Sequence, residues 1–257
     1  MPTAAVAAVA EGALELRDVS KSYGHGPAAV RALDGVDLRV TPGELVCIVG
    51  ASGCGKSTLL NLIARLDSPS AGELTSCGRV ALMFQEAALF PWLTIGDNVG
   101  LALKLAGAPR SERKARADEL LDLVHLHGLG ARRPHELSGG MRQRVALARA
   151  LAQGADILLM DEPFGALDAM TRDLLHDELE RIWQQTNITI VFVTHNVREA
   201  VRLADRVVLL SSRPGRVART FDIDLPRPRR IDGADESAFA AHITDQLRAE
   251  VARHGRR

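Results

Sequence analysis

Apolar residues fall along this chain in three rhythms. From Leu14 to Val40 they alternate with polar ones, in Leu14-Glu-Leu-Arg and again in Val36-Asp-Leu-Arg-Val40. That is the period of a half-exposed antiparallel strand. Leu45-Val-Cys-Ile-Val49, Ile157-Leu-Leu-Met160 and Ile188-Thr-Ile-Val-Phe-Val193 are near-continuous apolar runs, as buried parallel strands require. Val207-Val-Leu-Leu210 is a further such strand, after a helix over 197–204. Leu59, Leu62, Ile63 and Leu66 recur at i, i+3, i+4 and i+7, one face of a helix. Thr41-Pro-Gly-Glu44 and Ser68-Pro-Ser-Ala-Gly72 read as turns, the second followed by one short strand ending near Phe84. From Trp92 to about Pro134 the pattern is helical and charged, with Leu120, Leu121, Val124 and Leu126 as apolar positions. Pro226-Arg-Pro-Arg-Arg230 marks a boundary before a polar helical tail.

The junction between the first buried run and the first helix carries chemistry. Gly50-Ala-Ser-Gly-Cys-Gly-Lys-Ser57 fits the phosphate-binding loop pattern G-x-x-x-x-G-K-[ST], with the required strand before it and helix after it. Its glycines let successive N–H groups turn toward phosphate oxygens. Lys56 adds a cation for the β- and γ-phosphates, and the Ser57 hydroxyl is placed to ligate Mg²⁺. The helix dipole favours the same anion. The expected fold class is α/β: a phosphate-loop NTPase with a parallel-sheet core. An N-terminal antiparallel β subdomain and an inserted helical subdomain at about 92–140 complete it.

Composition narrows the class. The 257 residues are 46% hydrophobic, with 32 basic and 32 acidic, which suits one compact domain with a subdomain. The balanced charge gives no electrostatic case for nucleic acid as the main partner. No apolar run approaches the roughly 18 residues of a membrane span. Residues 1–12 are apolar but lack a basic n-region, so they read as a flexible leader rather than a signal peptide. Residues 13–230 form the domain and 231–257 the tail. Cys47, Cys54 and Cys77 form no C-x-x-C pair, which points to a reduced, cytosolic protein. His125 and His127 read as solvated helix-end residues, not ligands.

Other polar residues end strands. Asp161 and Glu162 follow an apolar run, where Asp161 is placed to hold Mg²⁺ and Glu162 to polarise a water. His195 follows another, in Val193-Thr-His-Asn196, and Gln85 ends a third, in Met83-Phe-Gln-Glu86. Leu137-Ser-Gly-Gly-Met-Arg-Gln-Arg144 opens a helix, and Ser138 reads as its N-cap.

Gln85, Leu137-Ser-Gly-Gly140, Asp161-Glu162, Ala166-Leu-Asp168 and His195 occur in an order and spacing that resemble ATP-binding cassette (ABC) ATPases, over about residues 14–230. The resemblance implies that Tyr23 stacks on adenine. Gly50, Ala51, Ser52, Gly53, Cys54, Gly55, Lys56, Ser57 and Thr58 cradle the phosphates of ATP. Ser57 and Gln85 meet Mg²⁺, Glu162 is the general base, and His195 contacts the γ-phosphate. Ser138, Gly139 and Gly140 would touch ATP on a second subunit, with Asp168 communicating across the pair. The helix after Ser138 is a second anion site, and two such sites fit a head-to-tail homodimer closed by two ATP molecules.

Finer resemblance comes from Phe84-Gln-Glu-Ala-Ala-Leu-Phe-Pro-Trp92, Phe164-Gly-Ala-Leu-Asp-Ala-Met-Thr-Arg172, Arg213-Pro-Gly-Arg216 and Asp224-Leu-Pro-Arg-Pro-Arg229, and from the short stretch between Gly72 and Val80. These look like the nitrate, sulfonate and taurine importer group. That implies two transmembrane permease subunits, an extracytoplasmic solute-binding protein and a peripheral place at the cytoplasmic face of the inner membrane. Phe90-Pro-Trp-Leu-Thr-Ile95 is expected to meet a permease, its bland alternative being packing within the insert. A soluble DNA-repair or translation ATPase would carry coiled-coil or zinc insertions or a second cassette. A module without turnover would not need Glu162 and His195. Asn196 departs from the usual Asp. Cys54, near a helix N-terminus, is expected to be a reactive thiolate protected by MgATP. Arg213, Arg216, Arg227, Arg229 and Arg230 are expected on a solvated edge.

Overall fold

The computed structural model describes residues 13–24 and 26–254. The leader over 1–12 therefore lies outside the described residues. The alternating segments become β1 (Leu14–Tyr23) and β2 (Val30–Val40), an antiparallel pair. Their inward residues Leu14, Leu16, Val19, Val36 and Val40 are buried. The run Leu45–Val49 is β3, buried at every residue, and the phosphate loop leads from it into α1 (Lys56–Ile63).

One strand is expected after residue 72; the structure has two. β4 (Ala71–Ser76) completes the antiparallel sheet in the order β2-β1-β4, whereas β5 (Val80–Met83) joins the other sheet. Gly78 redirects the chain between them at φ +93°, and the Asp156 carboxylate accepts from Arg79 N at 2.7 Å to start the new direction.

α2 (Ile95–Leu105), α3 (Arg113–Leu123) and α4 (Gly139–Leu151) follow and pack on one another. Thr94 caps α2 by accepting from Asp97 N at 3.0 Å. Then come β6 (Ile157–Asp161), α5 (Ala169–Thr186), β7 (Thr189–Val193), α6 (Val197–Leu203), β8 (Arg206–Leu210), β9 (Val217–Asp222) and α7 (Ala234–His254).

The larger sheet runs β5-β6-β7-β3-β8-β9, parallel except for the edge strand β9. Side chains along β3 alternate between two cores. Val46 and Ile48 join α1 and the antiparallel sheet; Leu45, Cys47 and Val49 join the face covered by α4, α5 and α6. Burial on both faces explains why the run reads as continuous. The order of the strands brings the C-terminal ends of β6, β7, β3 and β8 side by side at the phosphate loop.

The arginines divide. Arg213, Arg216 and Arg230 are exposed, but Arg229 is buried at 4% exposure. It donates to the carbonyls of Val201, Ala204, Ile223 and Leu225. Arg227 stacks over Trp183 at 4.6 Å and pairs with Glu180 and Asp205. The solvated edge is thus wrong for these two. Carbonyls at the end of α6 need donors, and a guanidinium supplies several at once. No helix among the described residues is long and apolar enough to cross a membrane.

Candidate active site

Gly55 caps α1 with φ 103°. A Cβ there would lie 2.7 Å from Leu33 Cδ2 and 2.9 Å from Ala32 O, so glycine is required on both counts. The first turn of α1 has neither an acidic residue nor a side-chain cap. Its free N–H groups and dipole are left for an anion. Lys56 is 6% exposed, and its Nζ donates to Gly50 O at 3.0 Å and Ala51 O at 3.1 Å. Cys54 points the other way, into the core beside Gly50, at 1% exposure. Burial pushes its thiol up, and Lys56, which pulls the other way, does not offset it. The expected thiolate is therefore overturned.

Asp161 ends β6 close to the Ser57 side chain of the phosphate loop. Burial pushes its carboxyl above the usual range; Ser57 lowers it, Glu162 raises it and Lys56 lowers it, in that order of size. Glu162 holds φ 44°, a left-handed backbone that is uncommon outside glycine and asparagine, and its N–H donates to Val193 O at 2.9 Å. Its Oε1 lies 4.0 Å from Lys56 Nζ and its Oε2 lies 2.8 Å from His195 Nδ1. Gln85 is exposed just beyond β5. Its carbonyl accepts from Gln143 Nε2 at 2.7 Å, and Arg149 holds the carbonyls of Ala87 and Ala88. The Gln85 amide and Glu162 Oε2 stand 3.8 and 3.9 Å from the point where a Gly165 Cβ would sit.

A cleft of about 460 Å³ gathers most of these groups. Tyr23, Ser52, Gly53, Gly55, Lys56, Ser57, Thr58, Glu162 and His195 line it, together with Arg213. Arg213 Nε donates to Gly53 O at 2.9 Å. The sequence gives no signal for that contact, which arises because β8 pairs with β3. Gly50, Ala51 and Cys54 form the back of the loop. Asp161 lies behind Ser57, off the cleft wall, and Gln85 approaches Gly165.

Ser138, Gly139, Gly140 and Asp168 are not on its walls. Ser138 caps α4, accepting from Met141 N at 3.3 Å. A Cβ on Gly140 would meet Thr171 Cγ2 at 2.4 Å, so the start of α4 packs on the start of α5. Asp168 caps α5 by accepting from Thr171 N at 3.0 Å, and bonds to Thr171 hold its carboxyl below the usual range.

The description "ABC transporter" fits residues 33–165, the stretch that holds the phosphate loop, Ser138–Gly140 and the Asp161–Glu162 strand end. The chain belongs to the ABC transporter family. It is an ATPase of that family. The nitrate import ATP-binding protein NrtD of Synechocystis sp. is 47% identical over 221 residues, 83% of each chain. The taurine import ATP-binding protein TauB of Rhizobium johnstonii is 47% identical over 230 residues, 86% of this chain and 88% of that one. A solved ATP-binding cassette, a dimer in a post-hydrolysis state bound to ADP and Pi, superposes with a TM-score of 0.73 at 35% identity. The match covers 83% of this cassette and all of that chain.

Among the described residues, no cluster of three or more His, Cys, Asp or Glu is arranged to hold a metal. Mg²⁺ at a nucleotide site needs no such cage. It takes one or two protein oxygens and completes its shell with phosphate and water. Ser57 at the start of α1 and Asp161 at the end of β6, neighbours at the phosphate loop, supply oxygens of that kind, and they fit the ion.

Proposed function

We propose that this cassette is the ATP-hydrolysing subunit of a transporter that imports a small anionic solute, nitrate or a sulfonate such as taurine. The observation that carries the catalytic part is the Glu162 carboxylate held between the Lys56 ammonium and the His195 imidazole at the mouth of the phosphate loop. The NrtD and TauB relatives support the solute class.

In this reading Tyr23, 42% exposed at the end of β1, stacks on adenine. The N–H groups of 50–58 bind the phosphates. Lys56 leaves the carbonyls of Gly50 and Ala51 for the γ-phosphate. Ser57, Gln85 and Asp161 would hold Mg²⁺, which when bound neutralises developing phosphate charge. Glu162 takes the proton of the attacking water. His195 turns toward the γ-phosphate as the Glu162 contact is released.

A second copy completes each site. Ser138, Gly139 and Gly140 lie off the cleft of their own chain, and the N-terminus of α4, where Ser138 occupies only the Met141 N–H, suits the γ-phosphate bound to a partner. Asp168 stands at the same face. The dimeric ADP- and Pi-bound relative supports this arrangement. Closure of the homodimer then drives two permease subunits at the cytoplasmic face, with an external solute-binding protein delivering the anion. A permease helix fits the groove of about 590 Å³ between the sheet edge and α2, which Leu66, Phe84, Phe90 and Leu105 line and leave partly exposed. Trp92, 68% exposed, stands beside Phe90 at 5.4 Å, whereas Ile95 is in the core.

Reconstitution with permease subunits of nitrate and taurine importers tests the proposal. ATP turnover should rise with binding protein loaded with nitrate or taurine. Turnover indifferent to either loaded protein would sink the solute class.

A further inference from the structure

His176 sits in α5 at zero exposure and has no part in the chemistry above. Its Nε2 lies 2.6 Å from Glu199 Oε1. A carboxylate only accepts, so Nε2 carries the proton. The other Glu199 oxygen accepts from the Thr194 hydroxyl. Thr194 precedes His195, and its Oγ1 accepts from Asn196 N at 3.0 Å. Asn196 in turn caps α6, its Oδ1 accepting from Arg198 N and Glu199 N. Both chain neighbours of His195 are thereby tied to Glu199, Thr194 through the buried carboxylate and Asn196 through the backbone N–H.

The other side of the imidazole meets Phe164 edge-on, with centroids 5.5 Å apart. Phe164 follows Glu162 by two residues. One buried ring therefore touches the segment that carries Glu162 and, through Glu199 and Thr194, the segment that carries His195. Its Nδ1 has no hydrogen-bond partner, the nearest carboxylate oxygen being Asp173 Oδ1 at 3.8 Å. An unsatisfied buried nitrogen costs stability that an apolar side chain of similar size would not.

We infer that His176 is a positioning residue for ATP hydrolysis: through its bond to Glu199 and the Thr194 hydroxyl it fixes the backbone that aims His195. This rests on the role given to His195 above. Glu199 and Thr194 transmit the constraint and touch no substrate.

The test is steady-state ATPase kinetics on the full chain, with fluorescent-ATP affinity and thermal unfolding measured on each variant. His176→Leu keeps bulk and removes the donor; it should lower kcat about tenfold with KM within about twofold, as expected for misplacement of a catalytic group. His176→Gln retains a donor and should recover most of the rate. Thr194→Val should match His176→Leu, and the double variant should be no slower than either, because both act through one chain of bonds.

An unchanged kcat in His176→Leu overturns the inference. So does a Gln variant no better than Leu, or a double variant whose loss is the product of the singles. If His176→Leu does not fold, Thr194→Val decides alone, an unchanged kcat again overturning it. His195→Ala runs alongside. Full turnover in that variant means that both roles fail; lost turnover there with normal turnover in His176→Leu means that only the role of His176 fails.

Discussion

Glu162 Oε2 lies 2.8 Å from His195 Nδ1, across the ends of two adjacent parallel strands. Asp161 is in register with Val193, so the residues just beyond each partner emerge at the same place. The left-handed backbone of Glu162, at φ 44°, aims its carboxylate inward at a cost of order 1–3 kcal/mol, and the bond from its N–H to Val193 O holds it there.

Glu162→Gln keeps the shape and removes the proton acceptor. Its kcat should fall by about 10²–10⁴, with ATP affinity within a few fold of the parent. Phosphate-release assays and equilibrium nucleotide binding measure the two. A rate equal to the parent's would place the base elsewhere.

Cys54 should resist alkylation under native conditions. It is buried behind the loop, and burial disfavours its thiolate. Cys77 is exposed and should react first. Mass spectrometry after iodoacetamide treatment at pH 8 should find Cys77 modified and Cys54 intact, with or without MgATP. Modification of both at one rate would show that the loop opens.

The parallel strands were legible because burial on both faces leaves no polar residue to interrupt them. The phosphate loop was legible because its glycines and Lys56 answer a local requirement. α5 and β9 leave no such signal in the sequence, for opposite reasons. α5 buries His176, Glu178 and Glu180 among Leu175, Leu179 and Ile182, which blurs its apolar stripe. β9 is an edge strand with no fully buried residue to announce it. Arg213 and Arg229 depend on contacts across more than a hundred residues or around a helix end, and neither leaves a mark in the local pattern. The environment of Cys54 is hidden for a related reason: its place near a helix N-terminus can be read from the sequence, but the direction of its side chain cannot.

Asp161 gives a pH dependence with a definite sign. Burial raises its folded-state pKa above 3.8, the value for the free side chain. The folded protein therefore holds this proton more tightly than the unfolded chain. The resulting stabilisation is full below pH 3.8 and is lost as pH rises through the folded value. At neutral pH the ionised carboxylate is a small burden on the nucleotide-free protein. Asp161→Asn should raise its Tm by roughly one to a few degrees, limited by partial exposure of the group. The same change should abolish Mg²⁺-dependent turnover. Scanning calorimetry from pH 4 to 8 should show the difference between the two proteins growing with pH. A difference that shrinks would reverse the assigned cause.

Arg229 should matter to stability and not to nucleotide affinity. Its guanidinium serves four carbonyls from α6 and the segment after β9, at 4% exposure. Arg229→Ala leaves those acceptors unpaired in the interior, a loss of about 3–5 kcal/mol. For a chain of this size that corresponds to a Tm lower by on the order of 10 °C. Lysine should not restore it, because one ammonium cannot reach the directions that a planar fork covers. The residue is absent from the walls of the phosphate cleft, so ATP affinity of the folded fraction should stay within about twofold of the parent. Differential scanning fluorimetry and nucleotide titration at 15 °C separate the two effects. A normal Tm in Arg229→Ala would mean that water replaces the guanidinium at little cost.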